Sequence, residues 1–220
     1  MRCDHAVDAD VAAVVARIAS EQGRLDLLVN NTWGGYEDPQ CRPLPMAPFW
    51  EQAVSLGDRM FTTGVRAHLV ASQRAVPLML AQRRGLIVTT TANVAAFPYM
   101  PNIYYDLAKH MVARMTWAMA EELRPHGIAA VAVAPGFMRT ERVVEAFRRA
   151  GMMAALDGPG GPTETPAYLG RAIVALASDP RVIDRTGQVL EAGTLAREYG
   201  FTDVDGTQPP PFRISSPPDS

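Results

Sequence analysis

Cysteine is scarce, with two in 220 residues, Cys3 and Cys41. Two thiols do not make a disulfide framework, so a reducing cytoplasm is the expected compartment. Long apolar runs are missing too. No stretch reaches the roughly 18 consecutive apolar residues of a membrane span, and no apolar signal core follows Met1-Arg2-Cys3-Asp4-His5. Neither sign of charge dominates. A formal net charge of -2 argues against nucleic acid or an anionic membrane as the main partner. Histidine occurs four times. His5, His68, His110 and His126 have no Gly-x-Ser-x-Gly nucleophile to activate, which argues against a hydrolase. His68 has no suitably spaced second ligand, so no metal site is expected. The chain has no internal repeat.

What remains is an ordinary globular composition, 48% apolar and 20% charged, long enough to bury a sizeable core. One domain is expected over 1–205, followed by a Pro/Ser-rich, disordered or extended tail over 206–220. A helix is predicted over 8–22, with Asp8 as N-cap, Val11, Val14, Val15 and Ile18 as its apolar stripe, and Gly23 as its stop. Leu25 to Val29 reads as a buried parallel strand. It leads into Asn30-Asn31, whose amides suit a ligand at a strand end or a simple Asn-rich turn. A proline-rich loop is expected over 35–48. A long helical stretch should follow from Leu56 to Gln82, broken near Gly64 and kinked at Pro77. Leu86 to Thr91 is a β-branched strand with hydroxyls at its carboxyl end, structural or ligand-facing. A helix over 103–124, a strand over 128–134 and a sharp Pro135-Gly136 exit come next. Residues 141–163 read as a mobile lid or as a surface helix with an ordinary loop. A helix over 165–178, capped at Thr165, and a last strand over 187–190 complete the alternation. The pattern is α/β with a doubly wound, mostly parallel, Rossmann-like sheet.

The chemistry sits in Tyr104-Tyr105-Asp106-Leu107-Ala108-Lys109. Tyr105 and Lys109 lie four positions apart, one helical turn, and so share a face. An ammonium beside a phenol favours the phenolate and is expected to lower the tyrosine pKa. Such a tyrosine can pass a proton to or from a carbonyl or alcohol oxygen.

In this order, Asp4, Leu28-Val29-Asn30-Asn31, Tyr105-x-x-x-Lys109 and Pro135-Gly136-x-x-x-Thr140 resemble the short-chain dehydrogenase/reductase family, in a divergent branch with Asn-Asn-x-Trp-Gly for the commoner Asn-Asn-Ala-Gly. The resemblance implies hydride transfer between NAD or NADP and a small carbonyl compound or secondary alcohol. Tyr105 would be the general acid/base, with Lys109 lowering its pKa and holding the nicotinamide ribose. Asp4 would lie by the adenine, Asn30 would border the cofactor cleft, Thr140 would reach the nicotinamide side, and Pro135 and Gly136 would be further cofactor-binding residues. The resemblance also implies a homodimer or homotetramer built on the long middle helix and the tyrosine helix.

Three departures accompany the resemblance. The family's Gly-x-x-x-Gly-x-Gly turn, which wraps the cofactor pyrophosphate at a helix N-terminus, has no counterpart here. The expected start lies near the family's third strand, with roughly 60 residues of βαβ structure before it absent. Counting back from Tyr105 to the family's catalytic serine gives Ala92, and Thr91 is the substitute. Gly64 stands where the middle helix carries an asparagine. A second reading follows: a non-catalytic remnant, or a chain started downstream of its true start, acting by association alone.

Overall fold

The computed structural model describes residues 1–35, 47–92, 99, 101–157 and 163–213. Cys41, most of the expected proline loop, the break at 158–162 and the last tail residues lie outside these.

Four parallel strands form the sheet, in the order β1 (Leu27–Asn30), β2 (Gly85–Thr90), β3 (Ile128–Ala134) and β6 (Val189–Glu191). Leu27 sits opposite Leu86, Gly85 opposite Ile128, and Ala132 opposite Val189. Every residue of β2 and β3 is buried, as parallel strands covered on both faces require. Alternation sorts the side chains. Leu86, Val88, Val131 and Val133 pack against α7 (Pro166–Ser178) and α8 (Ala192–Tyr199). Ile87, Ile128 and Ala130 meet Met79 of α3 (Ala67–Gln82) and Ala120 of α4 (Ile103–Leu123) on the other face. Helix α1 (Asp8–Gln22) lies on α3 through Val11, Val70 and Ala71.

The long middle helix is continuous. Helix α2 (Val54–Phe61) runs through a π-turn, Thr62–Arg66, into α3. The expected break near Gly64 is this wide turn, not an interruption. Pro77 is accommodated inside α3. Asp8 does not cap α1. Val7 holds the cap position without a side-chain bond, and the Asp8 carboxylate instead grips Arg66 through two bonds of 2.6 Å. Thr165 precedes α7 as expected but caps nothing. Its hydroxyl donates to Asp203 at 2.5 Å. Helix α4 has a cap the sequence reading overlooked: the Asn102 side-chain oxygen accepts from the Tyr105 amide at 3.0 Å. Helix α8 was likewise unforeseen.

A two-stranded pair, β4 (Phe137–Met138) with β5 (Thr163–Glu164), closes the segment carrying α5 (Glu141–Arg149) and α6 (Met153–Asp157). The described tail residues, 206–213, make several contacts with the body of the domain. The Tyr168 hydroxyl donates to the Pro209 carbonyl at 2.9 Å. Phe212 stacks on Phe137, and Arg213 pairs with Glu191.

Candidate functional site

The carboxyl ends of β1, β2 and β3 converge on the first turns of α4. A parallel sheet puts its ligands there, because the strand ends open into loops on one edge. The Asn102 cap fixes the start of α4, and Tyr105 and Lys109 follow on adjacent turns. They do share a face. Lys109 Nζ lies 5.7 Å from the centroid of the Tyr105 ring. Trp33, from the loop after β1, completes the group. Its ring stands edge-on to Tyr105, with centroids 5.6 Å apart at 78°, and Lys109 Nζ lies 3.9 Å above it.

The electrostatics correct one expectation. The Tyr105 phenol is not lowered by its lysine; burial pushes its pKa up to about 12. Burial instead pulls Lys109 down, to about 8. Desolvation disfavours both charged forms, and the ammonium lies over ring faces without touching the phenol oxygen. Lys109 is also the only lysine in the chain; the other 20 of its 21 basic residues are arginines. A guanidinium does not deprotonate in a protein, whereas an ammonium titrates readily when buried. That compositional singularity was legible in the sequence and was overlooked.

The other predicted residues fall into two groups. Thr91 is buried at the end of β2, and its hydroxyl donates to the Lys109 carbonyl at 3.0 Å. It adjoins the pair, though its proton is engaged by the α4 backbone. Thr90 donates to the Asn31 side-chain oxygen at 2.7 Å. Asn30 faces inward and donates to Ser72 of α3 at 3.0 Å. His68, one turn earlier on α3, donates from Nε2 to the Thr32 carbonyl at 2.8 Å. Burial holds that imidazole neutral, with its pKa near 4, as a packed helix histidine rather than a ligand. Together His68 and Ser72 pin the loop that carries Trp33.

Asp4 is exposed, and its carboxylate accepts from the Ala6 amide at 2.9 Å. Thr140 caps α5 by accepting from the Val143 amide at 3.4 Å. Gly136 is a close approach: a Cβ there would lie 2.9 Å from Glu164 Oε2. Glu164 is 1% exposed and accepts from the Gly136 amide; burial raises its pKa to about 7. Arg139 ties the α5–α6 segment down, donating to the Leu156 carbonyl at 2.9 Å and to Thr163 Oγ1 at 3.2 Å. Neither Glu164 nor Arg139 stood out in the sequence, since each acts through a partner distant along the chain.

An open parallel sheet with a tyrosine–lysine pair at its strand ends defines a Rossmann-like α/β protein. Residues 1–150 match the family profile described as short chain dehydrogenase. The chain belongs to that family. It is 33% identical over 216 residues to dehydrogenase/reductase SDR family member 1 of Mus musculus, covering 93% of this chain and 66% of that one. It thus spans just under two thirds of that relative's length. A second relative, cis-4-hydroxycyclohexanecarboxylate dehydrogenase of Sinomonas cyclohexanicum, is 32% identical over 204 residues, covering 93% of this chain and 76% of that one. Among solved structures, ElxO with NADP bound superposes with a TM-score of 0.75 at 25% identity, over 89% of this chain and 77% of that one. A 7α-hydroxysteroid dehydrogenase, complexed with NADH and 7-oxo glycochenodeoxycholic acid, gives 0.72 at 22%, over 94% and 74%. Among the described residues no helix is long and apolar enough to cross a membrane.

A nicotinamide dinucleotide can be tested against these residues half by half. The nicotinamide-ribose half fits. Lys109 offers a buried ammonium with no hydrogen-bond acceptor among the described residues. The pyrophosphate half meets no Gly-x-x-x-Gly-x-Gly turn in these 220 residues.

Proposed function

We propose that the protein reduces a small carbonyl compound, or oxidises the corresponding secondary alcohol, with NAD or NADP. The observation that carries this reading is the Tyr105–Lys109 pair on one face of α4, at the carboxyl ends of three parallel strands. The dinucleotide supplies or accepts the hydride when bound. Lys109 holds its ribose hydroxyls, Asn30 borders the cofactor cleft, Thr140 reaches the nicotinamide side, and Pro135 and Gly136 are further cofactor contacts; Asp4 lies toward the adenine. Tyr105 handles the proton. With its pKa near 12, the phenol stays protonated at neutral pH, the form that a reduction needs. It donates to the oxygen that gathers negative charge as the carbonyl is reduced, and a developing alkoxide is basic enough to take that proton. Thr91 hydrogen-bonds the same oxygen after exchanging its bond to Lys109. The segment carrying α5 and α6, tethered through Arg139, closes over the substrate as a lid.

The test is calorimetric titration of the purified chain with NADH and NADPH. Saturable binding supports the reading and justifies a carbonyl substrate screen. A folded chain that binds neither overturns it. In the screen, Tyr105→Phe is expected to lower turnover by about 10²–10⁴-fold with the fold intact; unchanged rates would remove Tyr105 from its role. One observation favours the second reading, association without cofactor. Helix α4 turns Leu107, Met111 and Trp117 outward, each 40–45% exposed, as a subunit contact would.

A further inference from the structure

Lys109 carries a buried charge, and its surroundings are unusual for one. It is 9% exposed. Among the described residues no carboxylate, carbonyl or hydroxyl hydrogen-bonds its ammonium; what meets Nζ is aromatic. At 3.9 Å from the indole centroid, Nζ lies well inside the roughly 6 Å range of a cation–π contact. The indole is itself fixed on its other sides. A Cβ at Gly64 would lie 2.5 Å from two of its ring carbons, so only glycine lets the ring rest on the π-turn. The next residue, Gly34, is as close to Thr63, with a notional Cβ 2.4 Å from Oγ1. The Thr32 carbonyl before it is held by His68, and Tyr105 abuts the ring edge-on.

We propose that Trp33 is a positioning residue, whose indole face holds the Lys109 ammonium beside Tyr105 where a hydrogen-bond acceptor would otherwise be needed. Its bearing on catalysis rests on the reaction proposed above. Its effect on Lys109 does not. The other titratable groups that face Lys109 are Tyr105 on its own helix and His68 on α3. Both are neutral at working pH, which leaves the ring as the main support for the charge.

A single lysine makes the test direct. Chain labelled with ¹³C only in lysine gives one side-chain resonance set, read by NMR without cofactor. The ε-methylene protons are expected upfield of free lysine, shifted by the indole ring current, with an ammonium titration midpoint near 8. In Trp33→Leu the upfield shift should vanish and the midpoint fall by about one further unit, since a desolvated cation–π contact is worth about 1–2 kcal/mol and 1.36 kcal/mol is one unit. Trp33→Phe keeps a ring face and should restore at least half of both effects. An unshifted lysine signal in the parent chain overturns the proposal. So does a midpoint in folded Trp33→Leu that stays or rises. Should Trp33→Leu fail to fold, the parent shift and the Trp33→Phe titration still decide. No dinucleotide is used, so an upfield, Trp33-dependent signal from a chain that binds no NADH overturns only the proposed reaction.

Discussion

Burial disfavours the charged forms of both Lys109 and Glu164, and the directions of their shifts set opposite pH signatures. For Lys109 the folded pKa, about 8, lies below the ordinary 10.5. Its stability contribution is present above 10.5 and lost as pH falls through 8. At pH 7 the loss is complete, on the order of 3 kcal/mol with the cation–π contact in place. Lys109→Met should therefore unfold at higher urea than the parent at pH 7, while abolishing turnover. Equal or lower stability would mean that the ammonium is better solvated than the geometry shows. Glu164 runs the other way. Its folded pKa, about 7, lies above the ordinary 4.5, so its contribution is full below 4.5 and lost as pH rises through 7. Glu164→Gln should stabilise the protein by about 2–3 kcal/mol at pH 8 and by little at pH 4.5, read by urea unfolding at both. An equal effect at the two pH values would assign the change to packing. Both groups illustrate a site held together at the expense of local stability.

The elements that matter most for the site are the π-turn and the start of α4. The π-turn widens the helix by one residue at Thr62–Arg66, and Gly64 within it takes the indole of Trp33 against bare backbone. Gly64→Ala puts a methyl 2.5 Å from the ring. Because the neighbour is a packed indole and not a flexible chain end, the helix or the loop must shift. Loss of about 1–3 kcal/mol is expected in urea unfolding, with a changed Trp33 emission. Retained stability with unchanged emission would show that the turn has slack. The Asn102 cap acts on the same scale: it fixes the entry of α4, and with it where Tyr105 and Lys109 point. A continuous helix from Val54 to Gln82 was hard to read because glycine at 64 and proline at 77 are both local breakers. The π-turn and tertiary packing on α1 and α4 override them.

For the molecule as a whole, α4 is notable for the apolar side chains it turns outward among the described residues. Leu107 and Met111 are each 45% exposed and one turn apart. A homodimer across this face is expected, seen as twice the chain mass in sedimentation velocity. Met111→Lys should shift it to monomer, since a charge in the centre of an apolar contact is strongly unfavourable. A parent chain that sediments as a monomer at tens of micromolar would overturn that expectation. The covering of the sheet's other face is shared by α7, α8 and the extended 206–213 segment. There Pro209, Phe212 and Arg213 make contacts with residues 22 to 75 positions earlier. Proline content alone reads as a tail; the contacts that hold it to the body belong to the tertiary structure.

Hydrophobic period and turn chemistry determined the alternation of strands and helices, the parallel sheet, and the Tyr105–Lys109 register on one helix, because each is a local property carried by neighbours in sequence. The site's electrostatics were decided only in three dimensions. The lysine was expected to tune the tyrosine, but burial acts on each group separately and raises the phenol. Trp33, Gly64 and Lys109 are 31 and 45 residues apart in sequence. Nothing in their spacing brings an indole between a helix backbone and an ammonium. The parallel topology does, by delivering three strand ends and two helices to the same edge of the sheet.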